Sequence, residues 1–237
     1  MKIFFGKIAG AILLAACFLQ KVSAEDTTLG RADSLFANKK YTEAFQLYDQ
    51  IFREGNASSA MLVKMAFIKE GLGNYADALY YLNLYYSQTS DKEALAKMRA
   101  IAEEQKLMGY EYSDTQYFLN YLMKYKTGII LCLLAIMIFL SVYAFRNRAN
   151  RPVGTFIFQF LISGVIAVLI NGWFYKESAI ISQDNVLLMS GPSAGAEPVD
   201  YIGKGHRVEL LKEGQVWCQI RWEGKSVFVR NKNLKVL

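Results

Sequence analysis

Apolar residues are concentrated in three stretches of the chain, residues 8–19, 127–145 and 153–175. The second and third stretches contain no charged residue. As a helix, residues 127–145 would extend about 28 Å at roughly 1.5 Å per residue, which matches the hydrocarbon layer of a bilayer, about 30 Å. The third stretch ends in Trp173-Phe174-Tyr175, and aromatic residues are enriched at membrane interfaces. The pattern predicts two transmembrane helices joined by a loop at residues 146–152. Export of the segment before them, for which the leader is the evidence, would make this a cytoplasmic loop.

The first apolar stretch has the organisation of a secretory signal. Lys2 and Lys7 precede it, and the small residues Val22–Ala24 follow it. This arrangement predicts a signal peptide over residues 1–24, cleaved after Ala24. A second interpretation stays open, because Leu14–Cys17 matches the lipobox of bacterial lipoproteins, which would place a lipid on Cys17. Either outcome exports the segment that follows.

Residues 25–110 have a helical apolar period and an internal repeat. Tyr41–Ala44 recurs 34 residues later as Tyr75–Ala78, and Ala32 matches Ala66. A repeat of this length predicts pairs of helices that stack on their neighbours. The pattern resembles the tetratricopeptide repeat, with two repeats and a cap helix at 91–108; an unrelated helical bundle is the alternative. Residues 111–126 form an amphipathic linker.

From residue 178 the apolar runs become short and are separated by glycines. Five runs predict strands of a small all-β barrel over 178–237: Ala179–Ile181, Val186–Leu188, Val208–Leu211, Trp217–Trp222 and Val227–Val229. The order of motifs resembles the bacterial SH3-like domain, from Asn185-Val186 and Ser190–Ser193 to Gly224-Lys225. Leu187–Met189 and Phe228 depart from that family pattern. We expect Trp217 to be the central core aromatic.

Charge and candidate chemistry add little. The formal net charge of +6 is accounted for by three lysines of the leader and three arginines at 146–151, so it does not indicate nucleic-acid binding. The three cysteines (Cys17, Cys132, Cys218) are too dispersed to suggest a disulfide framework or a metal site. His206 and Cys218 lie within one predicted barrel, where a buried structural thiol is the simpler interpretation. We therefore expect no catalytic site, no metal and no cofactor.

The repeats indicate a protein-binding face. The inner surface of the first helix in each pair, extended by the cap, predicts a groove in which apolar and charged residues alternate, a composition suited to binding a peptide. The predicted groove residues are Leu29, Asp33, Phe36, Val63, Phe67, Glu70, Lys97 and Ile101. Packing within the domain is the alternative role for Phe36 and Phe67.

The whole order of segments describes a multidomain membrane protein and resembles the BatE-like family of the Bacteroides aerotolerance (Bat) operon. The resemblance implies a non-catalytic scaffold in a bacterial inner membrane, linked to envelope or oxygen-stress tolerance. It also implies partners with von Willebrand-type domains and an AAA-type ATPase. Export of residue 25 predicts that the N- and C-terminal domains are periplasmic. The alternative function is a sensor or targeting module whose SH3-like domain binds peptidoglycan.

Overall fold

The structure, a computed structural model, describes residues 28–111, 114–146, 153–172 and 177–237. The predicted signal peptide, Cys17 and most of the predicted loop at 146–152 lie outside the described residues. The chain divides into two compact units between Leu82 and Asn83. This boundary falls inside one helix, which the two units share.

In its described part, from residue 28 onwards, the first unit (the helical unit) contains three helices and the first half of a fourth. Their bounds are α1 over residues 28–37, α2 Tyr41–Arg53, α3 Ser59–Gly71 and α4 Tyr75–Thr89. Glycine in the left-handed region follows α2 and α3, with φ of +87° at Gly55 and +71° at Gly73. The Gly73 N–H donates to Glu70 O at 2.9 Å. These turns satisfy the last carbonyls of a helix and reverse the chain, so consecutive helices become neighbours.

The sequence repeat corresponds to a repeat of structure within the helical unit. Tyr41 and Tyr75, which match in sequence, are the first residues of α2 and α4. The matched alanines Ala32, Ala44 and Ala78 are fully buried. A methyl side chain leaves room for helices to approach closely, so the small residues mark where the helices pack. The predicted helical N-terminal part is therefore confirmed.

The second unit begins with the end of α4 and with α5, Lys92–Glu104. Asp91 caps α5, because its Oδ1 accepts a hydrogen bond from the Glu93 N–H at 2.9 Å. Met98 and Ile101 of α5 are buried. The segment after α5, residues 105–111, leads to the apolar helices.

Among the described residues, two helices are long and apolar enough to cross a membrane: α6, Asp114–Arg146, and α7, Val153–Asn171. The predicted linker at 111–126 is not a separate element, since α6 runs without a break from Asp114 into the predicted span. No glycine or proline interrupts residues 114–127, so nothing in the sequence ends the helix before the span. α7 ends at Asn171, and residues 173–176 lie outside the described part of the chain.

The remainder of the second unit, the β domain, is a seven-stranded antiparallel sheet. Its strands are β1 Ser178–Ile181, β2 Val186–Met189, β3 Pro198–Ile202, β4 Arg207–Lys212, β5 Trp217–Trp222, β6 Lys225–Arg230 and β7 Leu234–Val236. The strand order is β3-β2-β6-β5-β4-β1-β7. The five predicted strands are present at about their predicted positions. The sequence analysis missed β3 and β7, the two strands at the ends of this order.

The core of the β domain is aliphatic. Ile181, Leu188, Ile220 and Val229 are fully buried, together with the thiol of Cys218. The expectation that Trp217 is the central core aromatic is wrong: Trp217 is half-buried, and Trp222 is the tryptophan that packs against the core. Side chains alternate between the faces of a strand. Cys218 and Ile220 face the core, so Trp222 shares their face and Trp217 takes the other.

Candidate functional site

Three aromatic rings meet on the helical unit and remain partly accessible. Phe36 of α1, Tyr41 of α2 and Phe67 of α3 form a triangle with ring centroids 5.4, 5.7 and 5.8 Å apart, all in edge-to-face geometry. Phe67 is 52% exposed, and Val63, one turn earlier on α3, is 39% exposed. We call Phe36, Tyr41, Val63 and Phe67 the aromatic surface. Large apolar groups left accessible on a folded domain are typical of binding surfaces.

The predicted groove residues of α1 and α3 follow the helical period. Asp33 and Phe36 lie on one side of α1, and Val63 and Phe67 lie one turn apart on α3. The structure brings the two helices together through the Phe36–Phe67 ring contact, as the repeat register predicts. Leu29 on α1 and Glu70 on α3 are half-buried. Six of the eight predicted residues therefore belong to this pair of helices.

A charged pair lies beside the aromatic surface. Lys64 Nζ is 2.7 Å from Asp33 Oδ1, and the Tyr48 hydroxyl donates to the same oxygen at 2.5 Å. Lys64 Nζ also lies 5.8 Å from the centre of the Phe36 ring. Burial alone would raise the pKa of the Asp33 carboxyl, but the hydrogen bonds from Lys64 and Tyr48 outweigh it and hold that pKa below its ordinary value. Asp33 is therefore a fixed negative charge that positions Lys64 at the edge of the aromatic surface.

The two predicted groove residues of the cap are differently placed. Lys97 of α5 is exposed, whereas Ile101 is only 3% exposed. The assignment of Ile101 to a binding surface is corrected: it occupies the buried stripe of α5 together with Ala94, Met98 and Ala102. Spacings of three and four residues place these positions on one face of the helix. Ile101 packs inside the protein and is not available to a partner.

Sequence reasoning missed two contributors to this surface. Tyr41 was identified only as part of the 34-residue repeat, and it is a half-buried member of the ring triangle. Lys64 was not singled out, because nothing in its local pattern distinguishes it from a solvated lysine. Its role depends on Asp33, a residue of another helix, and sequence spacing does not reveal such a pair.

The two residues of the β domain with reactive side chains have separate environments. Cys218 is 0% exposed and its thiol lies 3.7 Å from Gly214 O, which is the environment of a structural cysteine. His206 is half-buried, and its ring meets Trp222 edge to face with centroids 5.2 Å apart. Burial lowers the pKa of the His206 imidazole. Its Nδ1 accepts a hydrogen bond from the Met108 N–H at 3.0 Å.

A groove of the second unit lies between α5, the segment after it and strands β1 and β4. Its volume is about 700 Å³. Both signs of charge line it, including Arg99, Glu103, Glu177 and Glu209, beside the apolar side chains of Leu107 and Val208. Glu209 is already paired with Arg221 at 3.1 Å. The mixed lining indicates no single class of ligand.

Within the described ranges, no cluster of three or more His, Cys, Asp or Glu side chains is arranged to hold a metal ion. Comparison of the chain with models of known protein families, and with curated proteins, finds no match in either set. The assignment of function therefore depends on the surfaces described above.

Proposed function

We propose that the chain is a non-catalytic scaffold of a bacterial inner membrane that binds partner proteins through its helical unit. The observation that carries the proposal is the aromatic surface, in which Phe67 stays half exposed although two other rings pack against it. Aromatic side chains in partly dehydrated positions commonly dominate the affinity of protein interfaces. The two apolar helices supply the membrane attachment.

The proposal includes the finer architecture. The helical unit is a tetratricopeptide-like array, supported by the equivalent starts of α2 and α4 and by the matched buried alanines. The β domain is an SH3-like domain, supported by short antiparallel strands around one aliphatic core. This architecture is that of the BatE-like family, and it makes proteins with von Willebrand-type domains and an AAA-type ATPase the expected partners.

Partner crosslinking in intact membranes tests the aromatic surface. Truncating a central aromatic anchor commonly costs about 2 kcal/mol of binding free energy, roughly thirtyfold in affinity. We expect Phe36→Ala and Phe67→Ala to lose the partners that crosslink to the wild type. The matched control is Leu72→Ala, which removes an apolar side chain that is 60% exposed in the same unit but outside the aromatic surface.

Retention of helicity in all three variants is the check on folding. An unchanged set of crosslinked partners in folded Phe36→Ala and Phe67→Ala contradicts the proposed role of the surface. Loss of partners in Leu72→Ala as well contradicts its specificity, because the effect would then follow from general damage to the helical unit.

The proposed location is multi-pass, with both terminal domains in the periplasm. Reporter fusions after residue 110 and after residue 237 are then expected to show periplasmic activity, and a fusion at Asn150 cytoplasmic activity. A cytoplasmic signal from the C-terminal fusion contradicts this arrangement. The readout reports which side of the membrane each segment occupies and is independent of partner binding.

A second candidate function is cell-wall binding by the β domain. The observation in its favour is the terminal strand β3, whose residues Val199 and Tyr201 are exposed. Retention of the full chain on purified wall sacculi, lost in Tyr201→Ala, is the result that supports it. A pure scaffold is not retained on sacculi, so the assay separates the two functions.

A further inference from the structure

The segment after α5 is bound to the turn between β3 and β4. The Arg207 N–H donates to Met108 O, and the Met108 N–H donates to His206 Nδ1, both at 3.0 Å. The Tyr110 hydroxyl donates to Gly205 O at 2.7 Å. Met108 therefore uses both its backbone N–H and its carbonyl, and Tyr110 adds a side-chain contact. Peptide-binding domains recognise short peptides in this way: main-chain hydrogen bonds provide affinity, and a side-chain pocket provides selectivity.

The position between these contacts requires glycine. Gly109 has φ of +91°, and a Cβ built there would overlap the carbonyl oxygen of Arg207. A side chain at this residue meets backbone, which cannot move aside as a flexible side chain can. The left-handed backbone is also costly for any residue with a Cβ. Both the left-handed backbone at position 109 and the lack of space for a Cβ therefore require glycine.

The following position requires tyrosine. The Tyr110 side chain is 3% exposed, so the ring is enclosed, and its hydroxyl is the hydrogen-bond donor to Gly205 O. Phenylalanine would fill the same volume but leave a buried carbonyl without this bond, which destabilises the closed form. Gly205 itself is buried.

The contact to His206 depends on protonation. An imidazole nitrogen accepts a hydrogen bond only when it carries no proton. Protonated His206 would present an N–H donor at Nδ1 to the Met108 N–H, and two donors cannot bond. The elements around the ring carry charges of both signs, on Lys106 and Glu111 of the segment, Lys204 and Arg207 of the turn, Asp184 between β1 and β2, and Glu223 after Trp222.

We propose that the β3–β4 turn is a peptide-recognition site selective for Gly-Tyr, that the chain's own Met108-Gly109-Tyr110 is its ligand, and that closure needs unprotonated His206. The contacts join residues 95 and 98 positions apart in the sequence. Helices α6 and α7 lie between them, so the closed site ties the chain ahead of these helices to the domain that follows them. This inference is independent of the proposed scaffold function.

The closed site is thermodynamically reasonable for a ligand tethered in the same chain. Loop-closure entropy grows only slowly with loop length, so tethering within one chain offsets a low intrinsic affinity of the peptide. Packing of α6 on α7, with Gln159 Nε2 bonded to Ser141 Oγ at 2.8 Å, shortens the effective loop further. A weak tripeptide site is therefore occupied in cis, and the same peptide added in solution is expected to bind poorly.

Acidification is expected to open the site. Burial lowers the pKa of His206 in the closed form below its ordinary value of 6.5. Protonation at Nδ1 would also break the hydrogen bond from the Met108 N–H, which exists only in the closed form, so the closed form binds the proton less readily than the open form. Its stabilisation is complete above about pH 6.5 and is lost as the pH falls through the lowered pKa.

Amide hydrogen exchange of the full chain in lipid nanodiscs tests the site, read on residues 107–111 and 203–208. Gly109→Ala is expected to exchange roughly tenfold faster or more, because the strained backbone and the overlap with the Arg207 carbonyl both oppose closure. The matched control is Gly55→Ala, which also has positive φ, +87°, but whose Cβ would have no atom within 4 Å. It carries the same conformational strain without the overlap. Equal protection of this segment in the two variants overturns the proposal.

A milder variant keeps the test decisive if Gly109→Ala does not fold. Tyr110→Phe removes only the hydroxyl, and exchange in the same two segments is expected to rise about threefold to tenfold, the equivalent of one buried hydrogen bond. Tyr201→Phe is its control, since that ring is 66% exposed on β3. No difference between the two phenylalanine variants also overturns the proposal.

The pH profile separates the protonation requirement from a merely structural role of His206. Between pH 7.5 and 5, wild-type exchange of the 107–111 segment, corrected for intrinsic rates, is expected to rise as the pH falls. His206→Asn offers an amide oxygen in about the place of Nδ1 and does not titrate. It is expected to stay protected across the range. Parallel profiles for the two proteins overturn the role assigned to His206.

Discussion

The helical unit and the β domain use their aromatic side chains in different ways. In the helical unit, Phe36, Tyr41 and Phe67 contact one another while remaining partly accessible. In the β domain, the buried cluster contains aliphatic side chains and one thiol, and Trp222 packs at its margin. Stacked helices bury each face only against a neighbour and leave one open. A sheet that folds around one core encloses it. The closed core stabilises the β domain, and the open face of the helical unit is the surface to which we assign partner binding in our proposal.

The largest effect is expected in the closed core. Ile220 is 0% exposed, and Ile220→Ala should cost about 3 kcal/mol, because the transfer free energy of the lost methyl groups adds to the cost of a cavity. Local stability is read from hydrogen exchange of the β5 and β6 amides in the full chain. Val216→Ala is the control, at 61% exposed just before β5. Equal losses in the two variants contradict the description of a closed core.

The two tryptophans of β5 sharpen the same contrast. Trp222→Ala should cost about 2–3 kcal/mol, somewhat less than a fully buried tryptophan, because its ring packs against the core from the margin. Trp217→Ala should cost about 1 kcal/mol. The Trp217 ring is half-buried and contacts the Arg230 guanidinium, whose Cζ lies 5.5 Å from the ring centre. Exchange of the same amides measures both. A larger loss for Trp217 contradicts the assignment of faces along β5.

The tryptophans also show how far the sequence can predict this fold. Alternating apolar residues predict β5 at its observed bounds, because a two-residue period is a local property. Which face meets the core is not local, and a tryptophan is large enough to look like a core residue on either face. β3 was missed for a related reason: four of its five residues are exposed, so a strand at the end of the sheet leaves no apolar period.

The candidate site, like the fold, could be predicted only in part from the sequence. Phe36, Val63 and Phe67 could be placed on one surface because the 34-residue repeat fixes which helix positions are equivalent. Ile101 could not be placed correctly, since the register does not say which side of a terminal helix is covered. The docking of Met108 and Tyr110 on the β domain was not predictable. It joins residues almost one hundred positions apart, and its sequence signal, a glycine before a tyrosine, is common in loops.

A moderate effect is expected for the buried hydroxyl of the helical unit. The Tyr48 side chain is fully buried and donates to Asp33 Oδ1 at 2.5 Å. Tyr48→Phe should cost about 1.5 kcal/mol, the low end of the range for a hydrogen bond to a charged acceptor, because the Asp33 side chain is partly exposed. Exchange of the α1 and α2 amides provides the measurement. Tyr41→Phe is the matched control, since the Tyr41 hydroxyl makes no hydrogen bond within the described part of the chain. Equal effects contradict the role of Asp33 as the acceptor that joins α1 to α2.

The smallest effect is expected from acid, and it distinguishes the two regions by the pH at which each responds. The pKa of Asp33 is below its ordinary value of 3.8 in the folded helical unit, so the carboxylate form stabilises the fold. That contribution is complete above about pH 3.8 and is lost as the pH falls through the lowered pKa. The Asp33 side chain is 45% exposed, and solvent screening limits the effect to a few tenths of a kcal/mol.

The β-domain contact at His206 responds at higher pH, beginning near 6.5. A titration from pH 7.5 to 2.5, followed by hydrogen exchange of the full chain, is expected to show residues 107–111 losing protection first and α1 much later. Asp33→Asn should flatten only the later step, because asparagine does not titrate, and added salt should weaken that step. His206→Asn should flatten only the earlier one. A single step shared by both regions, or one removed by either variant, contradicts two independent acid responses and the separate electrostatic origins assigned to them.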